Sequence, residues 1–212
     1  MCSVRSRHMR SLFTAAIFLV LLMAEAQAAD TPDFYIWKPY LRGMKEPILS
    51  SAKLGHGDFQ FRWSRLVGYG EPVSIRIWQT HGETFARSVR LEFHLDYSVG
   101  RITRDQTIRL NEKQVRELRA YVSASNFWRP LNTQEKAFND RFLGGAHWLF
   151  EIQDSSGYRS LSMFSPALLA GDRDPRPLKI PKEMRSSRPY IAVASFLLGT
   201  TRIFPEELKA YH

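Results

Sequence analysis

The chain contains a single cysteine in 212 residues, Cys2, and it lies ahead of the first apolar run instead of behind it. That order excludes a lipoprotein cysteine. Downstream of Cys2 there is no thiol, so disulfides and a cysteine nucleophile are excluded too. Long hydrophobic runs are also missing. The longest, Leu12 to Met23, is about a dozen residues, short of the roughly 20 that cross a bilayer as a helix, so no integral membrane span is expected. No Gly-x-Ser-x-Gly elbow, phosphate-binding Walker loop or helical histidine pair occurs. Gly68-Tyr69-Gly70 lacks both the third glycine and the following helix of a dinucleotide fingerprint. Lysine and arginine form no long consecutive block, and there is no internal repeat or low-complexity tract.

What is present first is an export signal. Arg5, Arg7 and Arg10 precede the apolar run, and Ala26-Gln27-Ala28 supplies the small-x-small pattern of a cleavage site. This reading divides the chain into a signal peptide at 1–28, an extended arm at 29–57 and a single domain at 58–212. The destination is periplasmic or secreted. A domain of that size without disulfides depends on its core, and 14 Phe, 5 Trp and 8 Tyr supply bulky apolar surface for one. The net charge of +9 falls to +7 when the signal's three arginines and Glu25 leave. A basic surface serves solubility, or it attracts an anionic partner.

Between Asp30 and Gly57 the pattern is irregular, interrupted by Pro32, Pro39 and Pro47, which predicts extended chain with a helical turn over Pro47 to Leu54. From Asp58 the period becomes two. Phe59, Phe61 and Trp63 alternate with polar residues, then Val73, Ile75 and Ile77, and then Phe85, Val89, Leu91, Phe93 and Leu95. Gly68 to Pro72, His81-Gly82 and Gly100 mark turns, the last leading to a fourth strand that ends at Leu110. Asn111 and Gln114 form a capping box for a helix whose Val115, Leu118 and Val122 share one stripe, with Asn126 at its end. Ala146 to Ile152 alternates again and turns at Asp154 to Gly157 into Tyr158 to Phe164. A proline-rich loop follows, and Tyr190 to Leu198 reads as a short buried helix. The expected fold is α+β: an antiparallel sheet, as a four-strand meander plus a hairpin, with two helices packed on one face.

The segments EPVSIRI, LNEKQVRELRAYVSASNFW, GGAHWLFE, FSP and PYIAVASFLLG occur in that order. Over roughly residues 59–203 this succession resembles a family of small exported bacterial proteins of unknown function, of the Asp-Gly-Ala-x-Trp-x-x-Glu type. The resemblance implies export and an α+β domain, and it brings no activity. Gly144 stands where that family has its aspartate. Met163 and Phe164 stand where it has arginine and tryptophan ahead of Ser165-Pro166. A polar site built from that aspartate and arginine would be half lost here.

The chemistry-bearing candidates lie on the strands. His147 and Glu151 share one strand face but sit about 13 Å apart, too far to hold one metal ion together. His94 and Asp96 share another face at about 6–7 Å. Asp172 and Asp174 are separated by Arg173, which opposes calcium. Arg76 and Trp78 share a face. If Arg62 and Arg90 join them from neighbouring strands, the outer face of the sheet is cationic with one aromatic platform for an anionic polymer. Arg62, Arg76, Trp78, Arg90, Asp140, His147 and Glu151 are therefore the binding candidates, with no catalytic residue, metal or cofactor assigned. The expected role is a non-catalytic structural or interaction domain of the bacterial cell envelope, partnered by an anionic envelope polymer or another exported protein. The alternative is a hydrolase with an acid/base site on a solvated sheet face. In either case Trp148, Ala146, Phe150 and Ile152 are expected to face the core.

Overall fold

The computed structural model describes residues 34–55, 57–67, 70–96, 98–127, 146–164 and 188–203. The expected signal peptide, Asp140 and the loop carrying Asp172 and Asp174 lie outside these residues. Six strands form one antiparallel sheet: β1 (Gln60–Val67), β2 (Val73–Thr80), β3 (Glu83–Leu91), β4 (Ile102–Leu110), β5 (Ala146–Asp154) and β6 (Gly157–Phe164). Their order across the sheet is β4-β3-β2-β1-β5-β6. Among the described residues three helices accompany them, α1 (Phe34–Gly43), α2 (Glu112–Ala124) and α3 (Arg188–Thr201), with a short 3-10 turn at Leu49–Ser51.

The α+β class thus holds, while the finer expectation does not. The β5–β6 hairpin does not stand apart. β5 pairs with β1 along its length, from Gln60 opposite Gln153 to Val67 opposite Ala146, which makes one continuous six-stranded sheet. Nor are there only two helices on one face. The segment read as an extended arm contains α1, with Pro39 inside it. A proline there costs roughly 3 kcal/mol of intrinsic helix propensity. Tertiary burial offsets that cost, because Trp37 and Leu41 lie one turn apart and both pack on Leu66 and Leu149 of the sheet. Met44 continues the stripe onto Val89 and Leu91.

The two faces of the sheet therefore carry two different cores. On the first face Trp63, Ile75, Ile77 and Phe150 meet Leu118 of α2 and Tyr190, Val193 and Leu197 of α3. The rings of Trp63 and Trp148 meet edge to face at 5.2 Å, and Tyr121 of α2 approaches Phe196 of α3 at 5.4 Å. Trp148 and its neighbours Phe150 and Ile152 are buried here, as their alternation predicts. The capping box at the start of α2 is formed: the Gln114 N–H donates to Asn111 Oδ1 at 3.0 Å, and the Asn111 N–H donates to Gln114 Oε1 at 2.9 Å. Asn126 sits just past the helix end at φ 49°, the left-handed conformation that asparagine tolerates. The β2–β3 turn uses His81 and Gly82, both at positive φ, which matches the twist of a two-residue hairpin.

The alternating run of β3 is placed on the second face. Val89 and Leu91 face Met44 and Tyr40 of the N-terminal segment, while Ala86 lies in the core under α2 and α3. The strand stops at Leu91, with a register irregularity between Arg90 and Leu91 where it meets β4. His94 and Asp96 consequently lie in the β3–β4 connection and not on a strand face. The His94 ring bonds Ser98 Oγ at 2.8 Å, and Asp96 accepts the Ser98 N–H at 3.0 Å. Hydrogen bonding from the Ser98 side chain, and then from its backbone N–H, lowers the Asp96 pKa.

Candidate functional site

The second face holds the densest polar constellation among the described residues, and strand register creates it. Arg62 of β1 stands opposite Arg76 of β2, and Arg76 stands opposite Arg87 of β3. On the other side of β1, Arg62 stands opposite Glu151 of β5, which in turn faces Ser160 of β6. One row across five strands thus reads Arg87, Arg76, Arg62, Glu151, Ser160. Directly opposed side chains have Cβ atoms only about 4.5–5.5 Å apart, and like charges so placed repel. Three adjacent guanidiniums require counterions.

Two of these come from different parts of the chain. Arg62 Nε donates to Glu151 Oε2, and Tyr158 Oη donates to Glu151 Oε1 at 2.9 Å. Arg62 and Glu151 are both 0% exposed. The second counterion is Glu46, from the segment after α1. Its Oε1 accepts from Arg87 Nη1 at 2.6 Å and its Oε2 from Arg76 Nε at 2.9 Å, with Arg62 Nη1 at 3.6 Å. One carboxylate therefore touches all three guanidiniums. Asp105 of β4 adds a third acid, bound in a fork by Arg87 Nε and Nη2 at 2.9 and 2.7 Å. Three positive and three negative side chains balance.

Helix termination explains why Glu46 arrives there. The Glu46 N–H donates to Leu41 O at 2.8 Å and the Lys45 N–H to Arg42 O at 2.9 Å, with Lys45 at φ 56°. This is a Schellman stop in which Lys45 takes the position usually held by glycine. The residue after it is aimed at the sheet. Arg87 Nη2 also donates to the helix-end carbonyl of Met44 at 3.0 Å, a favourable place for a cation. Arg62 Nη1 bonds Pro47 O at 2.8 Å, which ties down the next residue.

The electrostatics follow from this enclosure. Burial lowers the Arg76 pKa and outweighs Glu46, and the charges of Arg87 and Arg62 add to the lowering. Burial opposes the charge of Arg87 as well, but its bonds to Asp105 and Glu46 prevail and raise its pKa. Burial, and then the charge of Glu151, raises the Tyr158 pKa, so this hydroxyl stays protonated and donating. Arg76 also lies over the Trp78 ring, 4.3 Å from its centroid, and Trp78 stacks on Phe85 at 5.6 Å.

The candidates are thus divided. Arg62, Arg76, Trp78 and Glu151 do share one face, with His147 towards its far end opposite Leu66. Arg90 does not join them. Its register partner is Val73, a first-face core residue, and it pairs with Glu71 at 3.2 Å. Arg87 takes the place expected for Arg90, because strand parity puts residues 85, 87, 89 and 91 on the second face. The face is not an open cationic platform either, since α1 and Glu46 to Leu49 lie over it. Arg159 of β6 stands opposite Ile152 and not Glu151. His147 is half-buried, and burial lowers its pKa.

Sequence reasoning missed Glu46, Arg87, Asp105 and Tyr158. The odd parity of Arg87 with Phe85 and Val89 was the available signal. Nothing in the local pattern links Glu46 to arginines 16 or more residues away. Elsewhere, a groove of about 780 Å³ runs between the β2–β3 turn and the start of α2, lined by Gln79, Thr84, Arg109, Asn111, Arg116 and Arg119 among others. Among the described residues no three His, Cys, Asp or Glu side chains come together to hold a metal ion, and no helix is long and apolar enough to cross a membrane. No protein-family model and no curated protein matches this chain.

Proposed function

We propose that this chain is an exported, non-catalytic structural or interaction domain of the bacterial cell envelope, periplasmic or secreted after signal cleavage. The observation that carries the reading is the closed charge network on the second sheet face. Glu151, the carboxylate that an acid/base site on this face would need, is engaged by Arg62 and Tyr158 beneath the N-terminal segment. A general acid or base has to reach its substrate within hydrogen-bond distance, and a carboxylate sealed in this way reaches only its own partners. A solvated sheet face, the premise of the hydrolase alternative, is therefore missing at Glu151.

Export is supported by the arginine-rich start, the short apolar run and the Ala-x-Ala pattern, and by the resemblance of residues 59–203 to small exported proteins. An anionic envelope polymer or another exported protein is the partner class that suits a mature charge of +7. The contacting cations on this reading are exposed ones such as Arg101, Arg109 and Arg116, each more than two-thirds exposed, and not the buried row. N-terminal sequencing of the exported protein from a bacterial host tests the first part. The expected mature end is Ala29, and an intact Met1 end retained in membranes overturns it. Binding to polyglutamate at low salt, falling steeply as salt is added, tests the second part. Absence of binding at low salt removes the anionic-polymer partner.

A further inference from the structure

The arginine row has the composition of a carboxylate receptor, and its ligand is part of the same chain. Arg76 Nε and Arg87 Nη1 converge on the two oxygens of one carboxylate at 2.9 and 2.6 Å, from two neighbouring strands of a rigid sheet. Both donors come from fixed strand positions, whereas the acceptor, Glu46, comes from the loop after α1. The receptor and its occupant thus belong to separate elements. A second observation points the same way. Arg62 Nη2 is fully buried and has no hydrogen-bond partner among the described residues, although Arg62 itself is 0% exposed. The row therefore offers more donors than Glu46, tethered through its backbone, satisfies. Buried guanidiniums without an acid among them are strongly unfavourable, so the need for an occupant persists when this one is removed.

We propose that Arg62, Arg76 and Arg87 form a binding site for a single carboxylate group, filled in the native chain by Glu46, and that a free small monocarboxylate takes the site when this side chain is absent. In the wild type the tethered Glu46 is present at high effective concentration and excludes a free competitor. In Glu46→Ala, the space left by the carboxylate and its methylenes fits acetate, whose two oxygens replace Oε1 and Oε2. The ligand class follows from the donors: one charged N–H from each of two guanidiniums, Arg76 Nε and Arg87 Nη1, meets one of the two oxygens of a single carboxylate.

The test is thermal unfolding of the full chain with sodium acetate titrated against sodium chloride at equal ionic strength. Glu46→Ala is expected to melt well below wild type and to gain roughly 3–6 °C when acetate reaches ten times its Kd, saturably and beyond the chloride control. Wild type is expected to show no difference between the two salts. Glu46→Gln keeps the space filled and is expected to be destabilised without responding to acetate. Adding Arg76→Met to Glu46→Ala is expected to weaken acetate about ten-fold or more. Should Glu46→Ala fail to fold in chloride, refolding in acetate supports the site, and failure to refold in either salt overturns it. An equal response of Glu46→Ala to acetate and chloride also overturns it, as does a response in Glu46→Gln as large as that in Glu46→Ala.

Discussion

Replacing Glu151 by glutamine changes almost nothing in shape and removes the charge of a carboxylate that is itself fully buried against Arg62. The amide oxygen can still accept from Tyr158 Oη, now at 2.9 Å from Oε1. The other position becomes an NH2 facing Arg62 Nε, donor against donor. Arg62 then keeps only Pro47 O at 2.8 Å and the more distant Glu46 at 3.6 Å, with Nη2 already unpartnered. Breaking a buried pair by removing one partner typically costs about 3–5 kcal/mol, because it leaves an uncompensated charge. That is a large share of the roughly 5–15 kcal/mol that holds a domain together. At about 2–4 °C per kcal/mol for a chain of this size, the melting temperature should fall by roughly 6–20 °C. Urea melts of Glu151→Leu, Arg62→Met and the double variant Arg62→Met/Glu151→Leu give the coupling directly, with Glu151→Gln as the isosteric comparison. The double variant should cost well below the sum of the two single variants, since an apolar pair of similar volume replaces a buried ion pair at little net cost. If Glu151→Gln melts within about 0.5 kcal/mol of wild type, the value normal for a surface change, the carboxylate is solvated and the burial argument fails. If the two single costs simply add, Arg62 and Glu151 are not partners.

On the first face, Trp148→Ala should cost about 3–5 kcal/mol in the same urea melts, because it removes the ring packed edge to face on Trp63 at 5.2 Å. Tyr158→Phe should cost about 1.5–3 kcal/mol, by taking a hydroxyl donor away from the buried Glu151 carboxylate, and the same melts will read it. The lowered His147 pKa gives a pH dependence: its contribution to stability is whole above the unfolded value of 6.5 and is lost as pH falls through the folded value. Melts between pH 8 and pH 4 should show that acidic loss in the wild type, and a smaller one in His147→Gln.

What the sequence discloses here depends on the distance over which each interaction acts. The Asn111/Gln114 box, the Asn126 stop, the His81-Gly82 turn and the face of Trp148 are set by neighbours within a few residues, and alternation or spacing exposes them. The burial of Glu151 is of another kind. Alternation puts it on the face opposite Trp148, and for a single-sided sheet that face is water. It becomes interior because the segment from α1 to the Leu49–Ser51 turn lies over that face, and α1 is hidden by Pro39, which makes its local pattern read as a broken arm. The arginine row is doubly hidden. Arg62, Arg76 and Arg87 come from three strands, and a slip of one residue in parity substitutes Arg90 for Arg87 and dissolves the row.

The same reasoning says why the N-terminal segment belongs to the domain it covers. Three opposed guanidiniums repel one another across adjacent strands, and Glu151 and Asp105 reach only the two ends of that row. The middle cation, Arg76, has Glu46 as its carboxylate partner and rests on Trp78 besides. Without the segment from α1 to Leu49 the sheet would expose two apolar patches, around Leu66 and around Val89, with an under-neutralised arginine between them. The helix that seals those patches is the one whose Schellman stop delivers the missing acid. Apolar docking and charge neutralisation are therefore one event, and losing either Trp37 or Glu46 should loosen the whole cover together, as hydrogen exchange in β1 and β2 would register.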